Sequence, residues 1–319
     1  MKLALRIFGW LIAVTIAAYF VWFAFRTFSI QDLKYLTTLP VIAAIIFGAC
    51  LYALIMPITG AAWAMLLRCQ GEAWSTTELT AILAVTQLAK YVPGGVMQPI
   101  GRAALSLRNG MKLRSFTASV VQETVLTVSA SVTVGACLLL LSRFGFQQIP
   151  AAYRNLVLAW AFAGLASVVL LASSSRLLAS KASKASNLHW MSRMMRAIGP
   201  LPNARATLLS FFSYCLNYLL IGMGIWVIGQ SLGLGESGTY ALLTAAFALA
   251  WLLGFVVPGA PAGLGVREGV LTLLLASVVE QSHILALVIA IRLMSVIGDG
   301  LCFGAGLWGL RRMSQTERG

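Results

Sequence analysis

The sequence predicts an all-α polytopic membrane protein, with about six full spans and two re-entrant broken-helix hairpins in an inverted-repeat arrangement. Three observations support this prediction. Hydrophobic residues make up 60% of the 319 residues, charged residues make up only 10%, and the mean hydropathy is +0.88. Two apolar segments are each interrupted by Val-Pro-Gly, at 92–94 and at 257–259. The basic residues collect in a few short loops, which is typical of membrane topology.

Six apolar segments are long enough to cross a bilayer. A spanning helix needs about 20 mainly apolar residues, and the candidates are 7–25, 41–67, 116–141, 155–175, 206–229 and 283–309. The first candidate follows Lys2 and Arg6, as the core of a signal peptide does, but it is longer than such a core. We therefore expect it to be the first span.

Two further segments are too short or too interrupted to cross as single helices. The first hairpin, 76–108, contains the uncharged stretch 79–89 and then the first break. The second hairpin, 240–279, turns within 258–268. Proline lacks an amide donor and glycine tolerates unusual dihedral angles, so both breaks should interrupt a helix. Irregular backbone at membrane depth requires protein or a water-filled cavity around it, so both breaks predict a binding site.

Charge placement sets the predicted orientation. With six spans and two hairpins, 17 basic residues fall on the cytoplasmic side and four fall outside. If residues 79–92 crossed the bilayer completely, the basic loop 176–205 would move outside, against this bias. We therefore expect a multi-pass protein of the bacterial inner membrane with both termini in the cytoplasm. The loop 176–205 should lie on the anionic inner leaflet.

The order of segments repeats along the chain. Residues 1–142 and residues 143–319 each contain a span, a second span, a hairpin and a third span. Because the first half crosses the membrane three times, the second half begins on the opposite side and has the inverted orientation. The two hairpins then reach the middle of the bilayer from opposite sides, which is the architecture of many secondary transporters.

The motifs at the two breaks resemble those of a known family. They read Tyr91-Val92-Pro93-Gly94-Gly95 with Gln98, Gly101 and Arg102, and Pro258-Gly259-Ala260-Pro261-Ala262-Gly263-Leu264-Gly265-Val266-Arg267-Glu268-Gly269. Over about residues 39–308 the chain resembles the transmembrane region of lysylphosphatidylglycerol synthases, and the second motif is the more specific one. The sequence departs from the family pattern at Ala260 and Ala262, where more glycine is expected.

The resemblance implies a function. In the large members of the family this region is thought to move lipid between leaflets, while a soluble C-terminal domain makes the aminoacylated lipid. The region also occurs as a stand-alone, flippase-like membrane protein. This chain ends about ten residues after its last predicted span. The resemblance therefore implies lipid translocation without synthesis.

Charged residues within the predicted membrane segments need a partner or a role. A charge at the bilayer centre costs about 2.5–3.5 kcal/mol on insertion scales, and the residues concerned are Glu123, Arg267, Glu268, Arg292 and Asp299. Glu123 and Arg292 lie on counterpart helices of the two halves, so a salt bridge between them is one expectation; Arg292 could instead bond a backbone carbonyl. Coupling to protons through Glu123 or Asp299 and downhill scrambling are both open.

The two arginines nine residues after the prolines, Arg102 and Arg267, predict an anion site. Each begins the returning arm of its hairpin, where free amide groups and the helix dipole favour anions. Arginine's planar fork suits phosphate, and glycines let a headgroup approach the backbone. The alternatives are that Arg102 anchors its hairpin at the cytoplasmic interface and that Arg267 pairs with Glu268 or Asp299. The predicted substrate-binding residues are Arg267, Glu268, Arg102, Gly94, Gly95, Gly263, Gly265 and Gln98.

Three functions fit these observations. We favour a non-enzymatic lipid translocator that moves an anionic phospholipid or a polyprenyl-linked glycolipid. The alternatives are a lipid-modifying membrane enzyme, with Glu268 as its base, and an accessory subunit that recruits a lipid-synthesis enzyme through its basic loop. Topology and lipid contact explain the net charge of +14 better than nucleic acid does. The cysteines and histidines lack metal-ligand spacing, and no cofactor is expected.

Overall fold

The computed structural model describes most of the chain as packed helices. It covers residues 36–92, 97–142, 151–181, 202–235, 239–256, 263, 265–276 and 279–316. These ranges contain α-helices and one short 3-10 helix but no strand, which confirms the all-α prediction for this part of the chain. The predicted first span 7–25, most of the loop 176–205 and the tips of both breaks lie outside the described residues, and so do Gly94 and Gly95.

The described ranges contain helices from both halves of the chain. In chain order they are α1 (Leu39–Cys69), α2 (Thr76–Thr86), a 3-10 helix (Gln87–Tyr91), α3 (Met97–Arg108), α4 (Leu113–Leu141), α5 (Ala151–Lys181), α6 (Ala204–Ser231), α7 (Tyr240–Val256), α8 (Val266–Leu275) and α9 (Gln281–Thr316). The first predicted hairpin corresponds to α2, the 3-10 helix and α3. The second corresponds to α7 and α8.

Four of these helices are long and apolar enough to cross a membrane. They are Leu39–Cys69, Leu113–Leu141, Ala204–Ser231 and His283–Arg311, and they contain the predicted spans 41–67, 116–141, 206–229 and 283–309. The predicted span 155–175 lies within the helix α5, whose described apolar stretch, Leu158–Leu170, is shorter than a span. The chain is thus a multi-pass helical membrane protein.

Local sequence signals place several helix starts. Ser75 and Glu78 form a capping box: the Ser75 hydroxyl accepts from the Glu78 amide at 3.2 Å, and the Glu78 carboxylate accepts from the Ser75 amide at 3.1 Å. The Asn203 side chain accepts from the Ala206 amide at 2.8 Å and caps α6 in the same way. These caps set where α2 and α6 begin, and so which faces they bury.

The helices α1 and α6 cross at the centre of the molecule in opposite directions. Gly48 of α1 meets Gly224 of α6 so closely that a Cβ on Gly224 would lie 2.8 Å from the Gly48 Cα atom. Further along, the Asn217 amide donates to the Thr59 hydroxyl at 2.9 Å. Residue numbers rise along one helix as they fall along the other, so the pair is antiparallel. The close approach depends on the missing side chains of the two glycines.

Each short helix that precedes a break packs on the last long helix of the other half. The helix α2 lies on α9, where a Cβ on Gly306 would meet the Ala84 Cβ at 2.8 Å. The helix α7 lies on α4, where the Ser131 hydroxyl donates to the Ala248 carbonyl at 2.7 Å. The helices that follow the breaks, α3 and α8, pack on α2 and α7 respectively. The helices α2 and α7, which precede the breaks, thus contact elements from both halves.

Candidate functional site

Charged side chains gather on and beside the two broken segments. Within the described ranges, three acidic residues there each form a salt bridge with a basic one, and the pairs are Arg102–Glu123, Arg292–Glu268 and Lys90–Asp299. A fourth cation, Arg267, forms no salt bridge with any described residue. Because buried charges are costly unless paired, this unequal pairing is the central feature of the site.

Arg102 joins the first hairpin to two long helices. Its guanidinium binds the Glu123 carboxylate of α4 with both Nη atoms, the Nη1–Oε1 distance being 3.0 Å. The same guanidinium stacks over the Trp63 ring of α1, 3.6 Å from the ring centroid. Trp63 is held in turn by a 2.9 Å hydrogen bond from its Nε1 to the Ser119 hydroxyl. Arg102 is only 8% exposed, so it anchors its hairpin from a buried position.

Glu268 organises the turn of the second hairpin. One carboxylate oxygen accepts from Arg292 Nε of α9, and the other accepts from the Gly265 amide at 2.7 Å. Gly265 and Gly263 have φ values of +81° and +71°, which L residues rarely adopt, so glycine is needed at both positions. The carboxylate therefore ties the start of α8 to α9.

The expected salt bridge between Glu123 and Arg292 is wrong. Each residue pairs instead with the returning arm of its own hairpin, Glu123 with Arg102 and Arg292 with Glu268. The physical reason is the position of their helices, because α4 packs mainly on α5, α6 and α7, whereas α9 packs mainly on α1 and α2.

Lys90 was missed as a site residue. Its Nζ lies 2.7 Å from an Asp299 carboxylate oxygen and donates to the Tyr52 hydroxyl at 3.0 Å. The Tyr91 hydroxyl donates to the same carboxylate at 2.5 Å. Asp299 has no exposed surface, and the Lys90 side chain is 16% exposed. The sequence did contain a signal for this role, because Lys90 ends an otherwise uncharged apolar stretch. The positive-inside rule instead assigned Lys90 to the cytoplasmic surface.

Arg267 lies between two glycines and an aromatic ring. A Cβ on Gly254 would lie 2.7 Å from the Arg267 Cγ atom, and a Cβ on Gly263 would lie 2.8 Å from its Nε. Its guanidinium is 6.0 Å from the centroid of the Trp251 ring. The buried Nε has no hydrogen-bond partner among the described residues. The alternative, a salt bridge of Arg267 with Glu268 or Asp299, is not formed, because other cations bind both carboxylates.

One known protein family matches nearly the whole chain, including both broken segments. A family model described as the lysylphosphatidylglycerol synthase TM region matches residues 10–301, nearly the whole chain. The chain belongs to this family. No curated protein matches it. Membership in the lysylphosphatidylglycerol synthase TM region family indicates a membrane protein of a lipid pathway, and it confirms the resemblance seen at the two breaks.

The remaining predicted site residues that the structure describes shape the backbone near the two breaks. The Gln98 amide donates to the Gln87 side-chain oxygen at 2.7 Å, so it joins the start of α3 to the 3-10 helix. Gly263 and Gly265 shape the turn beside Arg267. The structure therefore brings Arg267, Gly263, Gly265 and Glu268 together at the second break. It places Arg102 and Gln98 at the first.

Proposed function

We propose that this protein moves an anionic phospholipid or a polyprenyl-linked glycolipid between leaflets and that Arg267 binds its headgroup. The observation that supports this most directly is the missing counter-ion. Lys90, Arg102 and Arg292 each have a carboxylate partner, whereas Arg267 has none among the described residues. A cation at membrane depth needs a compensating charge, and a lipid phosphate would supply it.

The chemistry of Arg267 suits a phosphate. Arginine presents its donors in a planar fork that can bind two phosphate oxygens at once. The buried Nε donor has no hydrogen-bond partner in the described ranges. Gly254 and Gly263 give the side chain its room, since a methyl group at either position would collide with it. These features favour a site arranged to hold an arginine that has no acidic partner from the described protein.

The packing supports the inverted-repeat architecture on which translocation would depend. The helices α1 and α6 are antiparallel, α2 packs on α9, and α7 packs on α4. In the two halves α1 corresponds to α6, α2 to α7 and α4 to α9. The contact of α2 with α9 in one half therefore corresponds to the contact of α7 with α4 in the other. We therefore infer six spans and two re-entrant hairpins, with both termini cytoplasmic, in an inner membrane. Related inverted repeats place substrate near the middle of the bilayer.

The pairing of carboxylates favours a transporter over an enzyme. Glu268 is the acid that could act as a base beside Arg267, but Arg292 and the Gly265 amide bind its two oxygens. A general base must reach the proton that it abstracts. We infer that Glu268 positions the turn and performs no chemical step, so we propose movement of lipid without its modification.

The test compares Arg267 with an exposed arginine. Fluorescent phosphatidylglycerol and phosphatidylcholine are reconstituted in proteoliposomes, and leaflet exchange is measured for wild type, Arg267→Ala and Arg68→Ala. Arg68 is exposed at the end of α1 and serves as the matched control. Loss of a charge-assisted hydrogen bond costs about 1.5–3 kcal/mol, so phosphatidylglycerol exchange should fall roughly 10- to 100-fold in R267A.

A binding measurement distinguishes a protein that lacks the proposed headgroup site from one that was tested with the wrong lipid. Wild type should bind phosphatidylglycerol more tightly than phosphatidylcholine in detergent, and R267A should lose that difference while R68A keeps it. A folded R267A protein that binds and exchanges phosphatidylglycerol as wild type does would overturn the proposal.

A further inference from the structure

Within the described ranges, the charges beside the second break sum to one positive charge. Two arginines, Arg267 and Arg292, accompany one acid, Glu268, which follows Arg267 directly in the chain. The Glu268 carboxylate binds Arg292 Nε, so that pair is neutral and Arg267 supplies the excess. The salt bridges at the first break are neutral in the same way, and they are Arg102–Glu123 and Lys90–Asp299.

The other titratable groups near Arg267 leave this sum unchanged. In the described part of the chain, the side chains that interact most strongly with the Arg267 charge are Glu268, Arg292 and the two phenols of Tyr52 and Tyr218. A phenol is uncharged at neutral pH. A headgroup that enters this site therefore meets one uncompensated cation.

Each of the two arginines has a buried donor without a partner among the described residues. The atoms are Arg267 Nε and Arg292 Nη2. Buried polar groups are normally hydrogen-bonded, so both donors point to a ligand that accepts hydrogen bonds. Both guanidiniums could bind an anion, but Glu268 already compensates the charge of Arg292. This acid therefore sets how many of the two cations remain uncompensated.

We propose that Glu268 is a selectivity residue that restricts the headgroup site to lipids with a single phosphodiester; the proposal rests on the function proposed above. A buried charge is costly unless it is compensated. A phosphodiester carries one negative charge and cancels the excess of Arg267. A diphosphate monoester carries about one to two further negative charges. Glu268 leaves these without a cation, because it already binds Arg292.

The proposal narrows the substrate class of the site. It includes phosphatidylglycerol and lipids that carry a sugar on a single polyprenyl phosphate, because both are phosphodiesters. It excludes lipids linked through a diphosphate, since the second phosphate would enter the membrane interior uncompensated. The Glu268 carboxylate would also repel that second phosphate.

The experiment measures which lipid the site prefers when the charge of the cluster is changed. Purified full-length protein in a neutral detergent binds fluorescent phosphatidylglycerol, and unlabelled dioleoyl phosphatidylglycerol or dioleoylglycerol diphosphate competes at neutral pH. Wild type should prefer phosphatidylglycerol by roughly tenfold, the equivalent of one charge-assisted contact. Glu268→Gln leaves Arg292 as a second uncompensated cation, so the preference should disappear or reverse in favour of the diphosphate.

A double variant separates the charge from the shape of the turn. E268Q combined with Arg292→Gln lacks the salt bridge but again has Arg267 as its one uncompensated cation. The tenfold preference for phosphatidylglycerol should therefore return. If the salt bridge acted only by shaping the turn, the double variant would lose the preference as fully as E268Q does, and that result overturns the proposal.

The single variant R292Q keeps the proposal testable where E268Q does not fold. Its Glu268 carboxylate has lost its cation and opposes Arg267 instead. Phosphatidylglycerol should therefore bind R292Q roughly tenfold more weakly than it binds the double variant. Equal binding by R292Q and the double variant overturns the selectivity role.

Glu123→Gln is the matched control at the first break. It removes one carboxylate charge from the Arg102 pair, as E268Q does from the Arg292 pair. The preference of E123Q should equal that of wild type. A shift as large as that of E268Q would show that the total charge of the protein, rather than Glu268, determines selectivity, and it would overturn the proposal.

The outcomes also separate this proposal from the proposed function. If R267A loses phosphatidylglycerol binding while E268Q keeps the wild-type preference, the headgroup site stands and the selectivity role of Glu268 fails. If R267A binds both lipids as wild type does, the proposed function fails and the selectivity role fails with it.

Discussion

The two halves place an arginine nine residues after the proline of each break, yet the structure gives these arginines opposite environments. In the first half, Arg102 binds Glu123 and stacks on Trp63 at 3.6 Å. In the second half, Arg267 lies 6.0 Å from the Trp251 ring and has no acidic partner among the described residues. The same position in the motif is therefore an anchor in one half and an available cation in the other.

The position of the acid explains the difference. In the first half the acid, Glu123, lies on the long helix after the hairpin, and the returning arm supplies the arginine. In the second half the polarity is reversed, since Glu268 lies on the returning arm and Arg292 on the long helix. Both arms are thus tied to the following helix by one salt bridge. The second arm keeps one arginine in excess, and this excess charge is what a headgroup can use.

The largest expected effect compares stability after loss of either arginine. Arg102→Ala leaves the Glu123 side chain, which is 14% exposed, without its partner, which should cost up to about 3–5 kcal/mol of folding free energy. Arg267→Ala removes a cation that has no described partner, so stability should stay the same or rise. Thermal unfolding of the two variants in detergent checks this contrast. Addition of Glu123→Ala to R102A should recover part of the loss, and equal destabilisation by R102A and R267A would contradict the assignment of roles.

An intermediate effect is expected at the turn beside Arg267. Gly263→Ala forces a side chain into a φ of +71° and into contact with Arg267 Nε, so it should cost about 1–3 kcal/mol and displace the guanidinium. Exchange of phosphatidylglycerol should fall more than that of phosphatidylcholine. Gly269→Ala is the matched control, because a Cβ there meets nothing within 4 Å. Equal lipid exchange in both variants would show that the turn does not position Arg267.

The smallest effect is expected in the first hairpin. Gln98→Ala removes the hydrogen bond to Gln87, which is worth about 1 kcal/mol, and touches neither arginine. Thermal stability should fall slightly, and selectivity between phosphatidylglycerol and phosphatidylcholine should be unchanged. A loss of selectivity in this variant would place the headgroup at the first break as well and remove the asymmetry between the halves.

Sequence reasoning predicted the helices well because hydropathy and length determine where a chain can cross a membrane. The four spans 41–67, 116–141, 206–229 and 283–309 all lie within long apolar helices. The sequence also indicated Arg267 as a candidate binding residue, because the Val-Pro-Gly break before it is visible in the sequence. These features depend on local composition alone.

The choice of ion-pair partners could not be predicted in the same way. Partners depend on which helices touch, and Lys90 meets Asp299 across 209 residues of sequence. Lys90 looked like a loop charge because it follows an apolar stretch and precedes a break. Glu123 and Arg292 looked like partners because they occupy matching positions, but their helices α4 and α9 pack mainly on other helices.

The packing of each short helix on the other half has a consequence for biosynthesis. A ribosome makes Lys90 and α2 long before Asp299 and α9, which complete their surroundings. At about 5–20 residues per second, the delay is roughly 10–40 s. During that interval Lys90 lacks its carboxylate partner Asp299, and α2 lacks the helix α9 on which it packs. We therefore expect insertion to include a late docking step, in which α9 packs on the earlier helix α2.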